Sequence, residues 1–180
     1  MSTLKLNNLE AATGTTINIA SGDKISGASG SLSIPGVVVQ TVFQKFTTNT
    51  SLGSTSDADV GGSSLTFTPK FASSLLLLSC SVSINIYRNN INNGCTINFN
   101  VDGSNIDNAG ENYELLDSVP SGATNVYVRM NKESSVDASN TNAKTIKLTG
   151  RVYQTGSSGV AVINSGSNFT SSIKIQEIAQ

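Results

Sequence analysis

From Val37 onward, apolar residues fall at every second position in short runs. Ser, Thr and Asn fill the positions between, and stretches rich in Gly, Asp or Asn break one run from the next. Period two turns one side of an extended chain towards a core and the other towards water. The pattern predicts strands over 37–47, 64–68, 74–87, 95–101, 104–108, 112–117, 124–131, 145–153, 159–164 and 170–178, with polar loops over 87–94, 107–114 and 131–144. Leu75–Leu78 alone also fits a helix, but Cys80, Val82, Ile84 and Ile86, alternating with Ser79, Ser81, Ser83 and Asn85, continue it as strand. Many short strands without an amphipathic helical stretch predict an all-β head over residues 37–180, an antiparallel β-sandwich or jelly roll.

Two connections carry register information. Asp102-Gly103 between alternating runs is a two-residue hairpin signal that sets Phe99 opposite Ile106. The connection over 89–94 predicts a second hairpin, with Arg88 opposite Cys95, Ile86 opposite Ile97, Ile84 opposite Phe99 and Val82 opposite Val101, all apolar groups sharing one face. Three strands would then form a meander. On that register Cys80 lies about 26 Å along the strand from the position facing Cys95, far beyond the ~7 Å between Cα atoms that a disulfide allows. Both cysteines are expected reduced and inward-facing, as small core hydrophobes.

Residues 1–36 have a different texture. Leu4, Leu6 and Leu9, then Ile17 and Ile19, then Leu32 and Ile34, are brief apolar pieces between turn formers, too sparse to close a core. They suit an extended segment that gains burial from neighbouring chains, as the shaft of a trimeric fibre does; an unattached N-terminal tail is the plainer alternative. Pro35-Gly36 marks the boundary.

Composition narrows the chemistry. Ser, Thr and Asn supply 66 of the 180 residues, while charged residues are 13% and the net charge is -1, so the surface is polar but nearly uncharged. That gives no electrostatic handle on a phosphate backbone, and nucleic acid is not an expected partner. With no histidine, the commonest general base, every Ser-His or Cys-His pair and the usual imidazole metal ligand are missing. No run approaches ~20 apolar residues, and Met1-Ser2-Thr3 lacks the order of a signal peptide, so a soluble chain without membrane insertion is expected.

Phosphate-binding and nucleophile-elbow motifs are absent from the sequence. Asp57 and Asp59, with Asp102, Asp107, Glu111, Glu114 and Asp117, are the acidic groups from which a glycosidase pair would come. Asp102 is taken by its turn, however, and Asp57 and Asp59 read as solvated loop residues. Asp107, Asn108 and Glu111 are oxygen ligands of the calcium type at a spacing that matches no EF-hand loop. The chain reads as non-enzymatic, with no cofactor and no metal.

Tyr87, Arg88, Asn89, Asn92, Asn108 and Tyr113 gather aromatic rings and amides in the predicted loops. A ring covers the apolar face of a sugar while amides meet its hydroxyls. Asn also serves turns by tolerating the left-handed conformation, the ordinary explanation for the same residues.

Both ends carry a resemblance. Met1-Ser2-Thr3-Leu4-Lys5-Leu6-Asn7-Asn8-Leu9, with Ala12-Thr13-Gly14-Thr15-Thr16-Ile17, resembles the opening of phage fibre-like structural proteins, particularly of marine phages. Ser172-Ile173-Lys174-Ile175-Gln176-Glu177-Ile178-Ala179-Gln180 is similar to their final strand, and Tyr113–Pro120 is similar to an internal segment of the group. The resemblance implies a virion protein assembled in the host cytoplasm. Its residues 1–36, through Leu4, Leu6, Leu9, Ile17 and Ile19, would attach to other virion proteins or trimerise. Its head would project as in tumour necrosis factor-like trimers, either as a tail fibre contacting a host surface glycan or protein, or as a capsid decoration.

Overall fold

The computed structural model describes residues 35–89, 93–106, 114–116, 123–152, 159–166 and 168–180. Among them are strands and no helix: β1 (Val38–Phe46), β2 (Thr50–Leu52), β3 (Ala58–Asp59), β4 (Leu65–Phe67), β5 (Leu75–Asn89), β6 (Asn93–Val101), β7 (Ser104–Asn105), β8 (Glu114–Leu116), β9 (Ala123–Asp137), β10 (Lys144–Val152), β11 (Gly159–Ile163) and β12 (Ser171–Ile178). The segment 1–34, with Leu4, Leu6, Leu9, Ile17 and Ile19, lies outside the described residues.

The strands make two antiparallel sheets in a sandwich-like arrangement. In the first, β5 pairs along its full length with β9, from Leu75 opposite Asp137 to Asn89 opposite Ala123. Its other side is shared end to end by β12 and β11, with β1 beyond β12 and β2 beyond β11. In the second, β10 and β6 are central; β4 and β3 share the free side of β10, and β7 and β8 share that of β6. Leu76, Leu78, Val82, Ile84 and Ile86 of β5 and Ile173 and Ile175 of β12 form one core with Cys95, Ile97 and Phe99 of β6 and Ile146, Leu148 and Val152 of β10. Gly150 marks a close approach, because a Cβ there would stand 2.7 Å from Leu52 Cδ1 and 2.9 Å from Ile97 Cδ1.

The Asp102-Gly103 hairpin forms as expected: both residues take positive φ (50° and 91°), and Ile106 N donates to Phe99 O at 3.1 Å. The predicted hairpin between β5 and β6 does not form, and with it the three-strand meander fails. Ile86 pairs with Val126 and Ala161, whereas Ile97 pairs with Gly150, because the two strands belong to different sheets. Their apolar sides share the core without sharing a ladder. The strand expected to end at 131 runs on to Asp137, since Lys132, Ser134 and Val136 keep the inward alternation. Two short strands, β2 and β3, were not legible as runs. Both cysteines are buried in the core and neither forms a disulfide, Cys80 coming from the first sheet and Cys95 from the second.

Two outer strands of the first sheet, β1 and β9, are fastened by long polar side chains to the second sheet or to the segments flanking its β4. On β1, Gln40 Nε2 donates to Thr68 O at 2.8 Å and Gln44 Nε2 to Gly62 O at 2.6 Å. On β9, Lys132 Nζ donates to Ile97 O at 3.0 Å and Asn98 Oδ1 at 3.1 Å. Inward-pointing polar groups on edge strands also discourage pairing with foreign strands.

Glu177 is fully buried at an inward position of β12, after Ile173 and Ile175. Its Oε1 accepts from Lys70 N (2.8 Å), Phe71 N (3.0 Å) and Ser74 Oγ (2.6 Å), and its Oε2 from Gln40 Nε2 (2.6 Å), so one carboxylate ties the 70–74 turn to β1 and β12. Burial pushes this carboxyl up, but the hydrogen bonds from Ser74, Phe71, Gln40 and Lys70 outweigh it and hold the carboxyl below its ordinary value.

Glu177→Gln should cost about 1.5–3 kcal/mol at neutral pH, the range for hydrogen bonds to a charged group, measured by urea unfolding. Because the folded carboxyl binds its proton less readily than the unfolded one, the native advantage is complete above the ordinary carboxylate value of about 4.3. It is lost as pH falls through the folded value, so wild type and variant should converge in acid. A separate test concerns Cys95, whose thiol burial pushes up to about 12. It should resist thiol reagents at pH 8 in the native protein and react once the protein is unfolded.

Candidate ligand-binding site

β11 and β12 are one strand interrupted. Between Ile163, opposite Ile84, and Ser172, opposite Ser81, the chain spends nine steps where β5 spends three. The surplus leaves the ladder as an excursion over 164–170. β1 and β2 break at the same level, and Asn164 sits where both breaks meet. Its N donates to Ser83 O at 2.9 Å, and its Nδ2 to Phe46 O at 3.2 Å and Thr48 O at 3.3 Å. Ser171 Oγ donates to Asn164 Oδ1 at 2.7 Å and accepts from Ser83 N at 3.0 Å, closing the excursion's base. Asn164 has a φ of 52°, a left-handed conformation that Asn adopts more readily than most side chains.

Against this excursion, the outward faces of β5 and β9 form a groove of about 220 Å³ lined by Ser83, Asn85, Tyr127, Arg129, Ser165 and Phe169 together with Ile84 and Val128. Tyr127 stacks on Phe169 with ring centroids 5.6 Å apart and planes 9° from parallel, yet remains 58% exposed. Arg129 is positioned by neutral oxygens: Nη1 donates to Ser81 Oγ at 2.9 Å, and Nη2 to Ser83 Oγ at 2.7 Å and Thr170 O at 3.1 Å. Asn85 is buried beneath, its Nδ2 donating to Asn125 Oδ1 at 3.2 Å and Ser165 Oγ at 3.4 Å. Among the described residues no donor reaches Asn85 Oδ1.

The groove is smaller than the ~300–1,000 Å³ of sites that enclose a drug-sized ligand. Its scale suits one ring of a larger molecule. The second hollow on this face, lined by Phe43, Ser79, Ser81, Asn131, Glu133, Ser172 and Lys174 among others, carries charges of both signs and no ring stack in its lining.

Of the residues singled out in the sequence, Tyr87 lies on the outward face of β5 two positions beyond Asn85, opposite Asn125. Arg88 and Asn89 end the strand, opposite Thr124 and Ala123. Asn92, Asn108 and Tyr113 lie outside the described residues, as do Asp107 and Glu111 of the calcium-type set. Asp57 and Asp59 are engaged rather than merely solvated: Asp59 pairs with Lys147 at 2.6 Å, and Asp57 accepts from Asn105 Nδ2 at 2.8 Å and lies 3.6 Å from Arg151. Tyr127, Arg129, Asn85 and Phe169 each read in the sequence as an ordinary strand or loop position. Tyr127 and Arg129, two apart on one strand, were the available signal, since that spacing puts ring and cation on one face.

No protein-family model matches the chain, and a search of the curated proteins finds no match.

Asn164→Ala removes the knot at the base of the excursion and strands the buried Ser171 hydroxyl. It should lower stability by about 2–4 kcal/mol, from several lost buried hydrogen bonds at ~1 kcal/mol or more each, read as a lower urea midpoint with the slope unchanged.

Proposed function

We propose that the chain is a non-enzymatic phage virion protein, a homotrimeric fibre-like head that contacts the host surface through the groove between β5, β9 and the 164–170 excursion. The supporting observation is the separation of groove and entry point. Gly36 N donates to Ala179 O at 2.8 Å, so the first described residues lie beside the end of β12, where Ile178 pairs with Leu75. The groove centres on Asn85, ten residues along β5, which is about 33 Å at ~3.3 Å per residue. A head tethered at one end and sticky at the other is the arrangement an adhesive fibre needs.

The nearly uncharged polar surface and the resemblance of both chain ends to fibre-like proteins favour the same reading. A shallow groove for one ring binds weakly, and three copies per head on several heads raise the effective affinity by ~10² to 10⁴ without new contacts.

The full-length protein should show three chain masses by light scattering, coat host cells when labelled, and slow adsorption of its phage when added in excess. A monomer that leaves adsorption unchanged overturns the reading. Unchanged adsorption together with antibody labelling spread over the capsid lattice would instead identify a decoration protein.

A further inference from the structure

The groove contains one charged lining residue, and it is a cation. Three of the five N–H groups of the Arg129 guanidinium are committed to Ser81, Ser83 and Thr170, all neutral oxygens. These bonds fix the guanidinium's position without cancelling its charge, and two N–H groups remain without partners among the described residues. Glu133, on the same face of β9, is four residues away, about 13 Å along the strand, beyond the Debye length of ~8 Å at physiological ionic strength. A fixed, unneutralised guanidinium beside an open aromatic ring is built for a planar anion carried on a ring.

Resting on the adhesive reading above, we infer that the groove selects the carboxylate-bearing sugar of an acidic surface glycan. The sugar's apolar face lies on the exposed face of Tyr127, which Phe169 backs at 5.6 Å. The carboxylate meets Arg129, and beside it Asn85 lines the groove with an Oδ1 that no donor reaches among the described residues. Ring and charge contribute separately. The stack holds any sugar of suitable shape, and Arg129 makes the acidic one preferred.

The test is NMR titration of the full-length protein with methyl β-glucuronide, methyl β-glucoside, inorganic phosphate and inorganic sulfate. The glucuronide should bind at least tenfold more tightly than the glucoside and weaken as salt is raised. Arg129→Gln should reduce the glucuronide to the glucoside's level, while Tyr127→Ala should weaken both sugars by tenfold or more; a native thermal melt of each variant establishes that it is folded. Equal binding of the two glycosides overturns the inference, as does binding of phosphate or sulfate as tight as the glucuronide and indifferent to Tyr127→Ala. Cell attachment scored with the same variants separates the two readings. Attachment that survives both substitutions overturns the groove as the contact and leaves the fibre reading standing, whereas sugar binding intact in a wild type that attaches to no cell overturns the fibre reading alone.

Discussion

β5 constrains everything around it. Fifteen residues of unbroken strand present two rows of backbone groups that need partners, and an unpaired buried amide costs as much as a lost hydrogen bond. β9 answers one row residue for residue. The chain answering the other row is too long for the space, and the only way to keep both of its halves in register is to expel the excess. The groove follows from that mismatch. The expelled residues form one wall, and the outward side chains of β5 and β9 form the floor and the other wall.

The rest of the polar interior serves the same geometry. A carboxylate at an apolar position of β12 looks like a fault in the alternation until its five short contacts to Lys70, Phe71, Ser74 and Gln40 are counted. It fixes the turn that launches β5 and thereby the strand's starting register. Gln40, Gln44 and Lys132 then hold β1 and β9 of the first sheet against the second sheet and the segments flanking its β4, so the sandwich is fastened along both margins and at its core.

Much of the fold was readable because alternation survives wherever one face is buried. The strands at 38–46, 75–89, 144–152 and 171–178 follow it almost residue by residue. What alternation cannot tell is whether two apolar faces lie side by side in one sheet or face each other across a core. Ile84 and Phe99 satisfy either geometry, and the structure sets them face to face across the core rather than side by side in a hairpin. The turn at Asp102-Gly103 escaped this ambiguity because its two positive φ angles specify the hairpin locally. The candidate site was harder to see than the fold. Asn85 and Arg129 become neighbours only through a register set by the whole of β5 and β9, and Phe169 reaches Tyr127 only because the surplus residues are thrown outward.

The knot at Asn164 and Ser171 has a consequence for diversification. Because Asn164 and Ser171 close the base of the excursion against Ser83, Phe46 and Thr48, the residues between carry no rung of the ladder and meet the sheet only through side-chain and carbonyl contacts along the groove. Substitutions or insertions there would redraw one wall of the groove while the scaffold keeps its shape. On the proposed adhesive reading, this short span is where binding preference could change on a constant frame, much as antibodies vary hypervariable loops.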